Sequence, residues 1–82
     1  MFKIIINKLI DLKADFKISY YGSDISITTE DKITWCEEFI FLFNHILYEE
    51  LDEDTYILWF GDMCFNNLSK ERLEEIIEGW AL

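Results

Sequence analysis

Proline is absent from this chain, glycine occurs three times and cysteine twice. Without proline or a run of glycine and serine there is no composition for a stiff or floppy linker, and 82 residues are too few to divide into two cores. A single domain over residues 1–82 is expected. Cys36 and Cys64 lie far apart in sequence, with no second cysteine or histidine at metal-ligand spacing, which argues against a zinc site. Both have aromatic neighbours, so reduced thiols acting as small core residues are expected. The one histidine, His45, has no GxSxG, HExxH, GxGxxG or GxxxxGK[ST] pattern around it. No enzyme, cofactor or metal is expected. The apolar run at Ile4 to Ile6 is broken by Asn7, Lys8 and Asp11, too soon for a signal peptide, and no stretch is long enough to span a membrane. The expectation is a cytoplasmic protein that does not contact membranes.

The scarcest feature is positive charge in the second half. Seven Lys and Arg stand against seventeen Asp and Glu, for a formal net charge of −10. The first 32 residues are neutral, because Lys3, Lys8, Lys13, Lys17 and Lys32 match Asp11, Asp15, Asp24, Glu30 and Asp31. From Ile33 to Ser69 there is no Lys or Arg at all, while Glu37, Glu38, Glu49, Glu50, Asp52, Glu53, Asp54 and Asp62 are all negative. Direct binding of nucleic acid is disfavoured, since phosphates must be met by a basic surface. Disorder is disfavoured too, because 51% of the residues are hydrophobic and 17% aromatic. Ordinary solvated surfaces mix both signs, so a cation-free stretch that repels itself points to a basic partner, with solubility as the alternative.

Periodicity gives a coarse fold. Phe2, Ile5, Ile6, Leu9 and Ile10 fit one face of a helix over residues 2–14. Phe16, Ile18 and Tyr20 alternate with polar residues as in a strand, Gly22-Ser23-Asp24 reads as a turn, and Ile25 and Ile27 return antiparallel. Thr34 and Glu37 match a capping box, and Cys36, Phe39, Ile40, Phe43, Ile46 and Leu47 continue at helical spacing, so a central helix is expected up to about Glu50. Thr55 to Phe60 reads first as a strand, with a short helix left open. Ser69 is placed to cap a last helix, with Leu68 and Leu73 as a hydrophobic staple and Leu73, Ile76, Ile77 and Trp80 as its apolar stripe. The expected fold is α+β, a small antiparallel sheet packed against two or three helices.

Two acidic groups are the candidate partner-binding residues. Glu49, Glu50, Asp52, Glu53 and Asp54 crowd the expected end of the central helix, where the helix dipole disfavours anions. That local conflict is what a binding site would produce, against the plainer reading of a wet linker. Glu71, Glu74, Glu75 and Glu78 recur at spacings of three and four, on one face of the last helix, about 5–6 Å apart, as a row of phosphates would be. Tyr48, Tyr56 and Trp59 are expected as exposed aromatics beside them.

The succession of a short amphipathic N-terminal segment, Phe16-Lys17-Ile18-Ser19-Tyr20-Tyr21-Gly22-Ser23-Asp24, then Glu37-Glu38-Phe39-Ile40 and an acid cluster ending at Asp54 resembles the small acidic phage-encoded anti-CRISPR inhibitors of type II-A systems. The resemblance implies that carboxylates fill the basic cleft in which a CRISPR effector nuclease reads its short duplex motif, so that target DNA cannot dock. On this view the chain imitates DNA in a host bacterial cell. Two other readings stay open: an immunity protein neutralising one basic toxin nuclease, and an oligomeric interaction module that pairs with its own copy as a homodimer.

Overall fold

The structure is a computed structural model, and it describes residues 2–36 and 40–82. In chain order the elements are α1 (Phe2–Asp11), β1 (Phe16–Tyr21), β2 (Asp24–Cys36), β3 (Ile40–Glu50), β4 (Tyr56–Phe60), β5 (Met63–Leu68), α2 (Lys70–Glu78) and β6 (Trp80–Ala81). The fold is α+β: a six-stranded antiparallel sheet with two helices. Strands β1 to β5 lie side by side in sequence order, and β6 pairs with the second half of β2 through Thr34↔Ala81 and Trp35↔Trp80.

Two of the hairpins turn on a glycine in the first central position. Gly22 (φ +64°) joins Tyr21 to Asp24 and Gly61 (φ +60°) joins Phe60 to Met63. Positive φ at that position alone belongs to the type II′ turn, whose twist matches that of the paired strands. Between β3 and β4 the loop is longer. Leu51 N–H donates to Thr55 O at 3.0 Å and Thr55 N–H to Asp52 O at 3.1 Å, with Asp54 in the left-handed region (φ +56°). This is the three-residue hairpin loop that ends on a left-handed residue.

Alternation assigns the two faces. One row crosses the sheet as Ile18, Ile27, Ile46, Phe60 and Met63, and the next as Tyr20, Ile25, Tyr48, Leu58 and Phe65. The central members of both rows are buried, in one cluster with Ile5 and Leu9 of α1 and Leu73, Ile76 and Ile77 of α2. Phe60 sits among aromatic rings, with centroids 4.6 Å from Phe43, 5.3 Å from Trp35, 5.6 Å from Trp80 and 5.7 Å from Phe65. On the opposite face Lys17, Ser19, Tyr21, Thr28, His45, Trp59 and Cys64 are exposed.

Several expectations are corrected. The central helix does not form: Thr34 lies in β2, where its hydroxyl donates to Ala81 O at 2.9 Å, and Ile40 to Glu50 are β3. Glu37, Glu38 and Phe39, which the capping box and helix invoked, lie outside the described residues. The misleading signal is an irregularity. Between Thr28 and Ile33 the β2–β3 register shifts, so the buried residues of β3 step from Phe43 to Ile46 to Tyr48, and the first interval of three imitates a helix. The β-favouring content of Ile-Phe-Leu-Phe and Ile-Leu-Tyr prevails over that interval. Strands β5 and β6 were not expected, and β2 runs well past Thr28. Trp80 belongs to β6 rather than to the helix before it, because α2 ends at Glu78 with Gly79 as its cap. Cys64 is an exposed thiol on an edge strand, not a core residue. Thr55–Phe60 forms a strand over Tyr56–Phe60, α1 forms over residues 2–11, and Ser69 caps α2 by accepting Arg72 N–H at 3.2 Å.

Candidate acidic surface

The five carboxylates of the first group do not end a helix, so the dipole conflict disappears. They occupy the end of β3 and the loop into β4. Adjacent strand residues point to opposite faces, which separates Glu49 from Glu50. Glu50 lies on the core side of the sheet edge, where its Oε1 accepts the Tyr48 hydroxyl at 3.2 Å. Tyr48 and Tyr56 are themselves buried, against expectation, each at the core end of its strand. Burial, followed by the Glu50 carboxylate, holds both phenols above the usual value of 10.0.

Asp54 has a structural task as well. Its Oδ1 accepts the backbone N–H of Lys70 at 2.9 Å, at the first turn of α2. There the helix presents free amides and partial positive charge, which suit a carboxylate. This bond brings the hairpin loop against the helix that carries the second group. Asp52 and Glu53 project from the same loop, fully exposed.

On α2, Leu73, Ile76 and Ile77 are buried, and the glutamates take the other side: Glu71, Glu75 and Glu78 are exposed and Glu74 is half-buried. Glu75 is engaged by Arg72 at 3.2 Å. At the far end, Lys8 Nζ of α1 donates to Glu78 O at 3.2 Å, a cation at the negative end of the helix. The bond between Asp54 and Lys70 places the loop at residues 52–54 beside the first turn of α2, where Glu71 lies, while Glu49 stands on the opposite, outer face of the sheet. Of the nine predicted carboxylates, Glu49, Asp52, Glu53, Glu71, Glu74 and Glu78 have no side-chain bond to another described residue, whereas Glu50, Asp54 and Glu75 bond to the Tyr48 hydroxyl, Lys70 N–H and Arg72.

One contributor was missed. Asp24 stands directly opposite Glu49 in the β2–β3 register, on the outer face of the sheet. Like charges facing each other across a ladder destabilise it, and no cation bridges them among the described residues. Asp24 read as part of a neutral segment because the pairing of β2 with β3 was not foreseen. Beside this pair on the same face run Leu47, Ile57 and Trp59, with Trp59 48% exposed, as expected for an aromatic at this surface.

His45 is on β3, not in a helix, and its Nε2 lies 2.9 Å from the Ser26 hydroxyl across the strand pair. Among the described residues no group of three His, Cys, Asp or Glu is placed to hold a metal ion. Two depressions among the described residues, about 260 Å³ beside Phe16 and Thr29 and about 280 Å³ between α1 and α2, are smaller than typical ligand pockets. Among the described residues no helix is long and apolar enough to cross a membrane. Comparison with protein-family models, with curated proteins and with solved structures gives no match.

Proposed function

We propose that this chain is a non-enzymatic acidic inhibitor that mimics nucleic acid and blocks the basic DNA-binding cleft of a bacterial defence nuclease, in the manner of the anti-CRISPR proteins it resembles. The observation that supports the reading is the hydrogen bond from Lys70 N–H to Asp54, which brings the acidic loop beside the first turn of α2. Glu49, Asp52, Glu53, Glu71, Glu74 and Glu78 stand in for phosphates and meet Arg and Lys of the cleft. Trp59 and Leu47, beside Glu49 on the outer face of the sheet, add apolar contact to the partner. The site of action is the cytoplasm of a host bacterium, and neither cofactor nor membrane takes part.

The uncompensated charge supports this more than solubility does. The −10 falls entirely in residues 33–82, and Asp24 faces Glu49 at a cost to the sheet. Opposite fields steer such a pair together, so association is fast and weakens as salt rises.

The test is the binding of target duplex by a purified type II-A CRISPR effector nuclease loaded with guide RNA, followed by electrophoretic mobility shift. Added wild-type chain is expected to abolish the shifted DNA band at low salt and to lose potency at high salt. A variant with Glu49, Glu71, Glu74, Glu78 and Glu53 changed to Gln and Asp52 to Asn, sparing Glu50, Asp54 and Glu75, is expected to fold and to leave DNA binding intact. Undiminished DNA binding in the presence of wild-type chain sinks the CRISPR reading. Equal inhibition by the neutralised variant sinks the site.

A further inference from the structure

We infer that the free edge of β1 pairs with β1 of a second copy of this chain, forming a two-fold dimer. The two-residue hairpin at Gly22 makes Tyr21 and Asp24 a mutually bonded pair, and Glu30 N–H donating to Asp15 O at 3.2 Å marks the same alternation at the other end of the strand. Lys17, Ser19 and Tyr21 therefore turn their peptide groups toward β2. Those of Phe16, Ile18 and Tyr20 point outward, where no strand lies among the described residues.

The two edges of the sheet are built differently. On the β5 side the register slips between Tyr56 and Leu58, and Asn67 sits at φ +54°, devices that spoil an edge for further pairing. β1 runs in unbroken register from Phe16 to Tyr21, with neither a bulge nor a residue of positive φ. Its one charge is Lys17, and it ends on Tyr20 and Tyr21, which are 68% and 66% exposed.

The strand is self-complementary when antiparallel about Ile18. Ile18 then meets Ile18, Phe16 meets Tyr20, and every outward donor and acceptor of these three residues finds its counterpart. On the core side the contact extends the row of Ile18, Ile27 and Ile46 from one copy into the other. On the outer side Lys17 faces Ser19 rather than its own copy. Sliding by two residues in either direction leaves Phe16 or Tyr20 without such a partner.

The self-complementary register makes a second copy the occupant, and charge permits it. Two chains of −10 repel through residues 33–82, where the whole net charge lies, whereas residues 1–32 sum to zero and β1 itself carries only Lys17. β1 lies within that neutral part. The dimer leaves the acidic surface of each copy free, and it does not depend on what that surface binds.

The experiment is sedimentation equilibrium of the purified chain alone, from micromolar to millimolar concentration, at low and high sodium chloride. A monomer–dimer equilibrium that tightens several-fold with salt is expected, because salt screens the mutual repulsion. This is the opposite of the weakening expected with a basic partner, so failure of one idea does not imitate failure of the other. Tyr20→Lys, at an exposed position, is expected to weaken the dimer about tenfold or more. Ile18→Pro, which removes an outward-facing N–H together with an isoleucine side chain packed on the core, is expected to do the same, with circular dichroism checking that both variants fold. A monomer at every concentration overturns the inference, as does a dimer that both folded variants retain.

Discussion

Gly61 carries two constraints at once. Its φ of +60° lies where side chains are strained, and a Cβ there would run into the ring edge of Phe41. Gly22, in the matching turn, has open space around it. Gly61→Ala is therefore expected to cost about 1–3 kcal/mol in urea denaturation, at the upper end if the Phe41 ring cannot yield, and Gly22→Ala less. Tyr48 provides a pH dependence. Burial first, and then Glu50, raises its folded pKa above 10.0, so the folded state keeps a phenol proton that the unfolded state releases. Its stabilising contribution is complete below pH 10 and drains away as pH climbs toward the folded value. Wild-type stability should fall from about pH 10 upward, and Tyr48→Phe should flatten that slope in denaturation midpoints read at successive pH values.

At the scale of elements, one side chain joins a hairpin to a helix. Asp54 closes the β3–β4 loop in a left-handed conformation and caps α2 at Lys70 N–H. Asp54→Ala should destabilise by about 1–2 kcal/mol, whereas Asp54→Asn, which keeps an acceptor and tolerates positive φ, should lose much less. Both are measurable as shifts in the urea midpoint. The same junction explains what could be read from the chain in advance. Local signals located α1, β1, the Gly22 turn, β4 and the Ser69 cap, because spacing and capping act within a few residues. β3 could not be read so, since its departure from strict alternation arises in its pairing with β2, a relation between distant residues. The partnership of Asp24 with Glu49, and of Asp54 with Lys70, is of the same kind. The acidic residues were visible as a list; which of them meet in space was not.

For the whole molecule the question is how a fold tolerates ten uncompensated negative charges. The dense core of Phe43, Phe60, Trp35 and Trp80 supplies the cohesion, with T-shaped ring pairs at 5.1–5.6 Å. Trp80 brings a flaw with it, since its indole N–H is buried without a partner among the described residues. Among the described residues, the acidic groups lie at the margins, on a loop, on the outer side of α2 and at the end of β3, where water screens them. Lys8 at the carbonyl end of α2 ties the neutral third to the acidic part. The sheet's order has one more consequence, for kinetics. Because β1 to β5 each pair with their neighbour in sequence, hairpins can form one after another with short loop closures, the arrangement that favours rapid folding. The slow step then falls on the one strand out of order: β6 must return across the intervening elements to β2 before Trp80 seals the interior.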